Sequence, residues 1–448
     1  MKKVLIANRG EIARRIIVTL NKMNIATVAV YSEADQSSLF VKEADEAILI
    51  GPPPVAQSYL NMEAIIAACK ETGADAIHPG YGLLSENARF ASRCAEEGIL
   101  FIGPSEEVIA QMGDKMIARN VMQLAGVPIV PGTEGEITTL DDAVEQANRI
   151  GYPVMLKASA GGGGIGMQVC HSDEDVLAAF QTAKGRAKAY FGNDSMFIEK
   201  YVESPHHIEV QLLADQHGTV IHLLERDCSI QRRHQKVIEE SPSPFLDDTT
   251  RHHICMAAVS AAKAVGYTGA GTVEFIMDKE RNFYFLEMNT RLQVEHGVTE
   301  ELIDVDLVEW QIRIAQGEKL RFVQQDIAPK RHVIELRIYA EDPITFFPSP
   351  GTITVYEKPV GEGIRVDDAI HVGSSVSPYY DPMIAKLIVS RDSREEACGL
   401  ALQSLNAYQI EGIKTNIPAL KEVLSHPEFR QGVYDTHFIS SIRQSQRG

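Results

Sequence analysis

The chain has 448 residues, 44% of them hydrophobic and 23% charged, an ordinary globular composition long enough for two or three domains and a core that needs no covalent staples. With 43 Lys and Arg against 61 Asp and Glu, the net charge is −18. That balance argues against non-specific binding to nucleic acid or an anionic membrane, so any basic site has to be local.

Six widely separated cysteines, Cys69, Cys94, Cys170, Cys228, Cys255 and Cys398, form no Cys-x-x-Cys pair, so neither a zinc site nor a disulfide framework is expected. The opening MKKVLIANRG is too poor in apolar residues for a signal-peptide core, and no apolar run reaches the roughly 18 residues of a membrane span. These features predict a cytoplasmic protein.

Residues 1–112 alternate short apolar runs with amphipathic stretches: Val4 to Ala7, Glu11 to Leu20, Thr27 to Tyr31 and Ala74 to His78. That order predicts strand, helix and strand in a parallel, Rossmann-like α/β sheet. Its first turn, Asn8-Arg9-Gly10-Glu11, lacks the G-x-G-x-x-G of a dinucleotide site. A linker helix is placed at 113–130, and Pro128, Pro131 and Gly132 mark the start of a small glycine-rich module at 131–203. The remainder, 204–448, shows alternating strand patterns at Ile208 to Leu213, Thr272 to Met277, Asn282 to Glu287 and Val333 to Tyr339.

The segment from Ser159 to Met167, SAGGGGIGM, holds five glycines in six positions. Gly161, Gly163 and Gly166 match the dinucleotide fingerprint literally, but strand-like residues both precede and follow the loop, where a Rossmann turn requires a helix. A flexible glycine hairpin closing over phosphates fits better, with Lys157 supplying a cation, and a plain linker is the other reading. No H-R-D, D-F-G or Gly-Lys-Ser/Thr element supports a kinase or a P-loop.

From Gly271 to Glu295 two aromatic and β-branched runs flank a turn at Asp278 to Asn282. A hairpin centred between Glu280 and Arg281 puts Glu274 opposite Glu287, a repulsive pair that a bound cation would neutralise. Continued as an extended strand, the second arm aligns Glu287, Asn289, Arg291, Gln293 and Glu295 on one face and turns Met288, Leu292 and Val294 to a core. Two carboxylates and the Asn289 oxygen suit Mg²⁺; a solvated edge strand is the bland alternative.

Three further clusters are weaker. Glu225 to Lys236 packs Arg226, Arg232, Arg233, His234 and Lys236 into an acidic chain, as a basic site or as paired surface charges. Arg337 shares a strand face with Glu335 and Tyr339, where an ion pair is the simpler reading, and His207 alone reads as a structural histidine. Cations around Cys228 would lower its pKa, without assigning it a role.

Together these segments resemble the biotin carboxylases over essentially the whole chain. The resemblance is carried by IANRGEIA at 6–13, HPGYGLLSEN at 78–87, MGDK at 112–115, KASAGGGGIGM at 157–167, ERDCSIQRRHQK at 225–236, EMNTRLQVEH at 287–296 and PYYDPMIAKL at 378–387. It implies an α/β protein with a Rossmann-like N-terminal (pre-ATP-grasp) domain, an ATP-grasp lid and a C-terminal α+β domain. It further implies an ATP site of Lys115, Lys157, His207, the loop residues Gly162, Gly163, Gly164, Gly166 and Met167, the adenine neighbours Glu199, Lys200 and Val202, and Gln231 and His234. Glu274 and Glu287 would ligate Mg²⁺ or Mn²⁺ beside Asn289.

By the same resemblance Lys236, Arg291, Gln293, Val294 and Glu295 would bind bicarbonate, and Tyr81, His234 and Arg337 would bind biotin. Glu295, Arg337, Arg291 and Lys236 would be catalytic. The implied reaction is ATP-dependent carboxylation of carrier-bound biotin, the first half-reaction of acetyl-CoA carboxylase or a related enzyme, in a homodimer. No Met-Lys-Met biotinylation segment occurs, so a biotin carboxyl carrier protein and carboxyltransferase subunits are expected as separate partners. Two positions depart from the family's usual pattern. Ile165 replaces a frequent Arg, and Gly297 replaces a usual Pro, which predicts a less rigid backbone after Glu295.

Overall fold

The computed structural model describes residues 1–133, 135–158, 167–191 and 194–445. Near the N-terminus, β1 (Lys3–Ile6), helix α1 (Gly10–Lys22), β2 (Ala26–Ser32), β3 (Glu46–Gly51), β4 (Ala76–His78) and β5 (Leu100–Phe101) form a parallel sheet ordered β3-β2-β1-β4-β5. The near-continuous apolar runs are those of strands covered on both faces. The β1–α1 turn is committed to structure. Arg9 donates to both oxygens of Asp35 at 2.7 Å and its guanidinium lies 3.9 Å from the Tyr380 ring centroid, while Asn8 Nδ2 donates to the carbonyls of Pro79 and Tyr81 at 2.7 and 2.8 Å.

Helix α2 (Lys115–Leu124), capped by the Asp114 carboxylate, leads towards a small module. There β6 (Val154–Ala158), β7 (Gln168–Cys170) and β8 (Met196–Lys200) make an antiparallel sheet ordered β7-β6-β8. Strands flank the glycine run as expected, with Val154 opposite Cys170. Ile137, Val154, Leu156, Cys170, Phe180, Met196 and Ile198 give the module its own core.

The largest layer is an eight-stranded antiparallel sheet. Its strands are β9 (His206–Ala214), β10 (Val220–Arg232), β11 (Gln235–Ser241), β12 (Gly269–Met277), β13 (Phe283–Asn289), β14 (His332–Tyr339), β15 (Ile364–Asp368) and β16 (Met383–Arg391), in the order β13-β12-β9-β10-β11-β14-β16-β15. Strand β9 shows how sequence aims the sheet. Ile208, Val210 and Leu212 pack with Ile254, Ala258 and Ala262 of α3 (Asp248–Ala264), so the period of two turns His207, Glu209 and Gln211 to the opposite face.

The β12–β13 hairpin differs from the sequence expectation in an informative way. Next to the turn the pairs are Met277 with Phe283, Ile276 with Tyr284 and Phe275 with Phe285, which centres the hairpin on Glu280 and not between Glu280 and Arg281. Continued regularly, that ladder would put Leu286 opposite Glu274. A one-residue bulge intervenes, Leu286 is left 42% exposed, and Glu287 meets Glu274 after all.

After Asn289 the chain leaves the sheet and Glu295 caps α4 (His296–Ile303). Gly297, in the first turn of α4, is buried, and a Cβ built on it would lie 2.4 Å from Ile388 Cδ1. Close packing therefore replaces the loose backbone expected there. Among the described residues no helix is long and apolar enough to cross a membrane. Gly297→Ala should cost about 1–3 kcal/mol by overpacking, measured by urea unfolding, and Ile388→Val in the same chain should recover part of that loss.

Candidate active site

The site is built on the polar face of the eight-stranded sheet. Glu287 of β13, Glu274 of β12, Glu209 of β9 and Arg226 of β10 stand in register, each opposite the next. Three adjacent carboxylates repel one another, most strongly between the buried Glu209 and Glu274, while Glu287 at the end of the row is exposed. Two cations answer them.

Arg226 is 0% exposed. Its Nε donates to Glu209 Oε1 at 2.6 Å, Nη1 to Gln211 Oε1 at 2.7 Å and Thr299 Oγ1 at 2.8 Å, and Nη2 to Gln293 Oε1 at 2.6 Å. Lys236 Nζ, from β11, reaches Glu209 at 2.5 Å, Glu295 at 2.7 Å and Glu274 at 2.9 Å. Against the cost of burial, those carboxylates hold the ammonium well above the ordinary lysine range.

Glu295 has a cation on each oxygen, Lys236 on Oε1 and Arg337 Nη2 on Oε2 at 3.0 Å. Lys236 and Arg337 outweigh burial and keep its carboxyl well below the usual range. Glu295 makes no side-chain cap to its own helix, so its carboxylate is left to these partners. Arg337 also donates from Nε to Glu239 Oε1 at 2.6 Å.

Around this core, Gln293 Nε2 donates to Glu274 Oε1 at 2.6 Å, and His207 Nε2 lies 2.7 Å from Glu274 Oε2. Gln231 Nε2 contacts His207 Nδ1 at 3.0 Å. Arg291 Nε donates to Glu86 of the N-terminal layer at 2.7 Å, and Nη2 donates to Asn289 Oδ1 at 2.7 Å. Tyr81, on the same layer, bonds Glu11 through its hydroxyl. His234 is exposed at the β10–β11 turn, where Arg233 and His234 have φ of 50° and 65°, the paired positive values of a tight hairpin.

Glu287 carries no hydrogen bond or ion pair among the described residues, and it faces Glu274 directly. Although its side chain reaches solvent, desolvation by its crowded neighbours and then the opposed Glu274 raise its carboxyl, while Lys115, at the first position of α2, lies within electrostatic reach. A pair of opposed carboxylate oxygens with one member unpartnered fits a hard divalent cation such as Mg²⁺. Asn289 donates its amide to Glu274 Oε1 at 2.9 Å, and its oxygen already accepts from Arg291.

Comparison with known proteins decides the family. Three family models match in succession: the biotin carboxylase N-terminal domain over 1–109, the ATP-binding domain of the carbamoyl-phosphate synthase L chain over 114–323, and the biotin carboxylase C-terminal domain over 335–441. Biotin carboxylase of Halalkalibacterium halodurans is 61% identical over 447 residues, covering 100% of this chain and 99% of that one. The chain belongs to the biotin carboxylase family.

Two solved structures place that membership on the fold. Biotin carboxylase from Campylobacter jejuni, in a β,γ-ATP complex, superposes with TM-score 0.94 at 48% identity, over 98% of each chain. The biotin carboxylase domain dimer of Hydrogenobacter thermophilus 2-oxoglutarate carboxylase, solved with MgADP, ADP and bicarbonate, gives 0.93 at 49% identity, over 99% of this chain and 98% of that one. The ATP-grasp architecture of a biotin carboxylase is therefore established here, with its parallel N-terminal sheet and its C-terminal sheet-and-helix layer.

Some expectations need correction. The extended strand does not continue to Glu295. Arg291, Gln293 and Glu295 converge through a turn-rich segment, and Val294 is half-buried, with its carbonyl accepting from Lys386 Nζ at 2.7 Å. Burial pushes the Cys228 thiol well above its usual range, the reverse of activation by nearby cations. Arg226 is no surface charge.

On the adenine side, Glu199 joins Arg119 at 2.8 Å and Lys157, Val202 is buried, and Lys200 Nζ turns to the carbonyls of Gly151 and Tyr152 at 2.9 and 2.8 Å. Met167 is exposed beside β7. Gly162, Gly163, Gly164, Ile165 and Gly166 lie outside the described residues. Glu209, Glu239, Glu86 and Lys386 contact these residues and were not picked out from sequence, where Arg226 was named only within the basic cluster. Alternation along β9 was the available signal for Glu209.

All six cysteines are buried, so the native protein at pH 8 should resist a soluble maleimide and gain up to six adducts only in denaturant, read by intact mass. Arg226→Met removes the internal partner of Glu209. It should cost about 3–5 kcal/mol in urea unfolding, whereas a surface charge would cost almost nothing.

Proposed function

We propose that the protein catalyses ATP-dependent carboxylation of biotin with bicarbonate, yielding carboxybiotin, ADP and phosphate. One observation carries this reading. The single carboxylate of Glu295 is clamped between Lys236, on the side of the Glu209 and Glu274 row, and Arg337, on the side of Tyr81. It therefore touches both halves of a two-step reaction.

In this reading Lys236, Arg291, Gln293 and Val294 receive bicarbonate, and Glu295 takes its proton. Bicarbonate oxygen then bonds to the γ-phosphorus of ATP as ADP leaves, forming carboxyphosphate. Carboxyphosphate breaks down to CO₂ and phosphate. Phosphate takes the ureido proton of biotin, whose nitrogen attacks CO₂, and Arg337 stabilises the developing ureido anion. Arginine suits that role because its planar donor fork stays charged at working pH. Tyr81 and His234 line the biotin side.

Glu274 and Glu287 would hold Mg²⁺ or Mn²⁺ with Asn289 alongside, and the cation would neutralise charge on the nucleotide phosphates. Lys115, Lys157, His207, Gln231 and His234, with the glycine run and Met167, are assigned to ATP, and Glu199, Lys200 and Val202 to adenine. The same reading divides the chain at 112, 130 and 203, makes it a cytoplasmic homodimer, and gives it a biotin carboxyl carrier protein and carboxyltransferase subunits as partners. Acetyl-CoA, another acyl-CoA, pyruvate or urea would be the final carboxyl acceptor.

Purified protein should cleave ATP only with bicarbonate and Mg²⁺ present, and biotin should stimulate it; stimulation by an amine instead would point to another ATP-grasp ligase. Glu287→Gln should raise the Mg²⁺ needed for half-maximal activity without lowering thermal stability. Glu295→Gln keeps shape but cannot accept a proton, so turnover should fall roughly 10²- to 10⁴-fold. Arg337→Ala should damage biotin carboxylation more than bicarbonate-dependent ATP cleavage, and equal losses in the two assays would remove Arg337 from the later step.

A further inference from the structure

Behind Arg337 lies an acidic side chain that this mechanism leaves unused. Glu335 precedes Arg337 by two residues on β14, shares its face, and is 0% exposed. The ladder sets it directly opposite Glu239 of β11, itself 1% exposed. Like charges so placed repel, and more strongly inside a protein than at its surface.

The two carboxyl groups differ in what they touch. Glu239 Oε1 accepts from Arg337, while neither oxygen of Glu335 has a hydrogen-bond partner among the described residues. Glu335 Oε2 lies against Gly297, only 3.3 Å from where a Cβ on that residue would sit. The groups facing Glu335 are Lys386 from β16, Glu239 from β11, Arg337 from its own strand, Glu295 at the start of α4, and Tyr81 from the N-terminal layer.

Both nearby cations are committed elsewhere. Lys386 Nζ bonds the Val294 carbonyl and lies 3.4 Å from Glu11 and 3.8 Å from Asp367. Arg337 holds Glu239 and Glu295. A buried carboxylate with no donor is among the costliest groups in a protein, and the neutral acid is the form that avoids the cost.

We propose that Glu335 is a neutral carboxylic acid that holds the one proton of the Glu239–Glu335 pair and acts as a positioning residue for Arg337. Ionised, Glu335 would become a third carboxylate competing for the guanidinium from the same strand face. Neutral, it leaves Arg337 to Glu239 and Glu295, on the line to biotin. Burial, against the attraction of Lys386, raises the Glu335 carboxyl well above the usual range, and burial raises Glu239 as well.

The sign of the linkage follows. A carboxyl whose folded pKa lies above its unfolded value contributes most below the unfolded pKa of about 4.3 and loses that contribution as pH rises through the folded value. Only the catalytic consequence rests on the reaction proposed above; the protonation state does not.

Infrared spectra of the wild-type protein and Glu335→Gln, with urea unfolding of both from pH 5 to pH 9, test this. The wild type should show a protonated-carboxyl carbonyl band at pH 7 that Glu335→Gln lacks. The folding constant of Glu335→Gln should gain on wild type by up to about tenfold per pH unit across the window. The alkaline limb of kcat for biotin carboxylation should move upward in the variant, a shift that a merely structural role would not produce. Absence of the band from the wild type, its survival in Glu335→Gln, or a pH-independent loss of stability in the variant would overturn the proposal. If the variant does not fold, the wild-type band and its disappearance at alkaline pH still decide the protonation state.

Discussion

The repulsion among Glu287, Glu274 and Glu209 is the constraint on which the rest of the site depends. Three strands carry these residues in register, so backbone pairing fixes the proximity of their Cβ atoms. Arg226 is locked beside Glu209 by five side-chain acceptors, and Lys236 ties Glu209 and Glu274 to Glu295. Glu287 is the member without a partner among the described residues, and the proposed metal site rests on that unpartnered charge.

A second set of charges lies farther along the sheet, where Arg337 of β14 stands opposite Lys386 of β16, and Lys386 opposite Asp367 of β15. Glu295 joins the two sets, one oxygen to each. Its position is set by the start of α4, by Lys386 on the Val294 carbonyl and by Arg226 on Gln293. The N-terminal layer closes the arrangement through Glu86 on Arg291 and Glu11 on Lys386. The site therefore needs both the parallel sheet and the antiparallel sheet, although neither contains it alone.

Local pattern made much of this legible in the sequence. Strand-like residues on both sides of the glycine run excluded a Rossmann turn, and β6 pairs with β7 across it. Opposition of Glu274 and Glu287 followed from hairpin pairing, yet it survives only because a bulge at Leu286 offsets a half-residue error in the assumed centre. No local signal announces a bulge in a run as uniformly apolar as Phe-Tyr-Phe-Leu. Glu209, Arg226 and the Glu239–Glu335 pair were hidden for a different reason, since each depends on strands brought together from distant parts of the chain. Arg291 and Glu295 were chosen on the premise of an extended strand, but a turn and a helix start bring them together.

The clamp on Glu295 also explains how a buried carboxylate can stay ionised, the form that its proposed role as a base requires. Held by Lys236 and Arg337, it stays ionised but binds a proton weakly, which protects the empty site from neutralisation. Bicarbonate entering beside Lys236 would compete for that ammonium and remove one of the two attractions that depress the Glu295 pKa. On the proposed reading the carboxylate would become more basic as bicarbonate arrives. Arg337 remains on the other oxygen, where a developing biotin anion would compete for it in turn. On that reading, the order of the two proposed steps would follow the order in which anions displace one carboxylate from two cations.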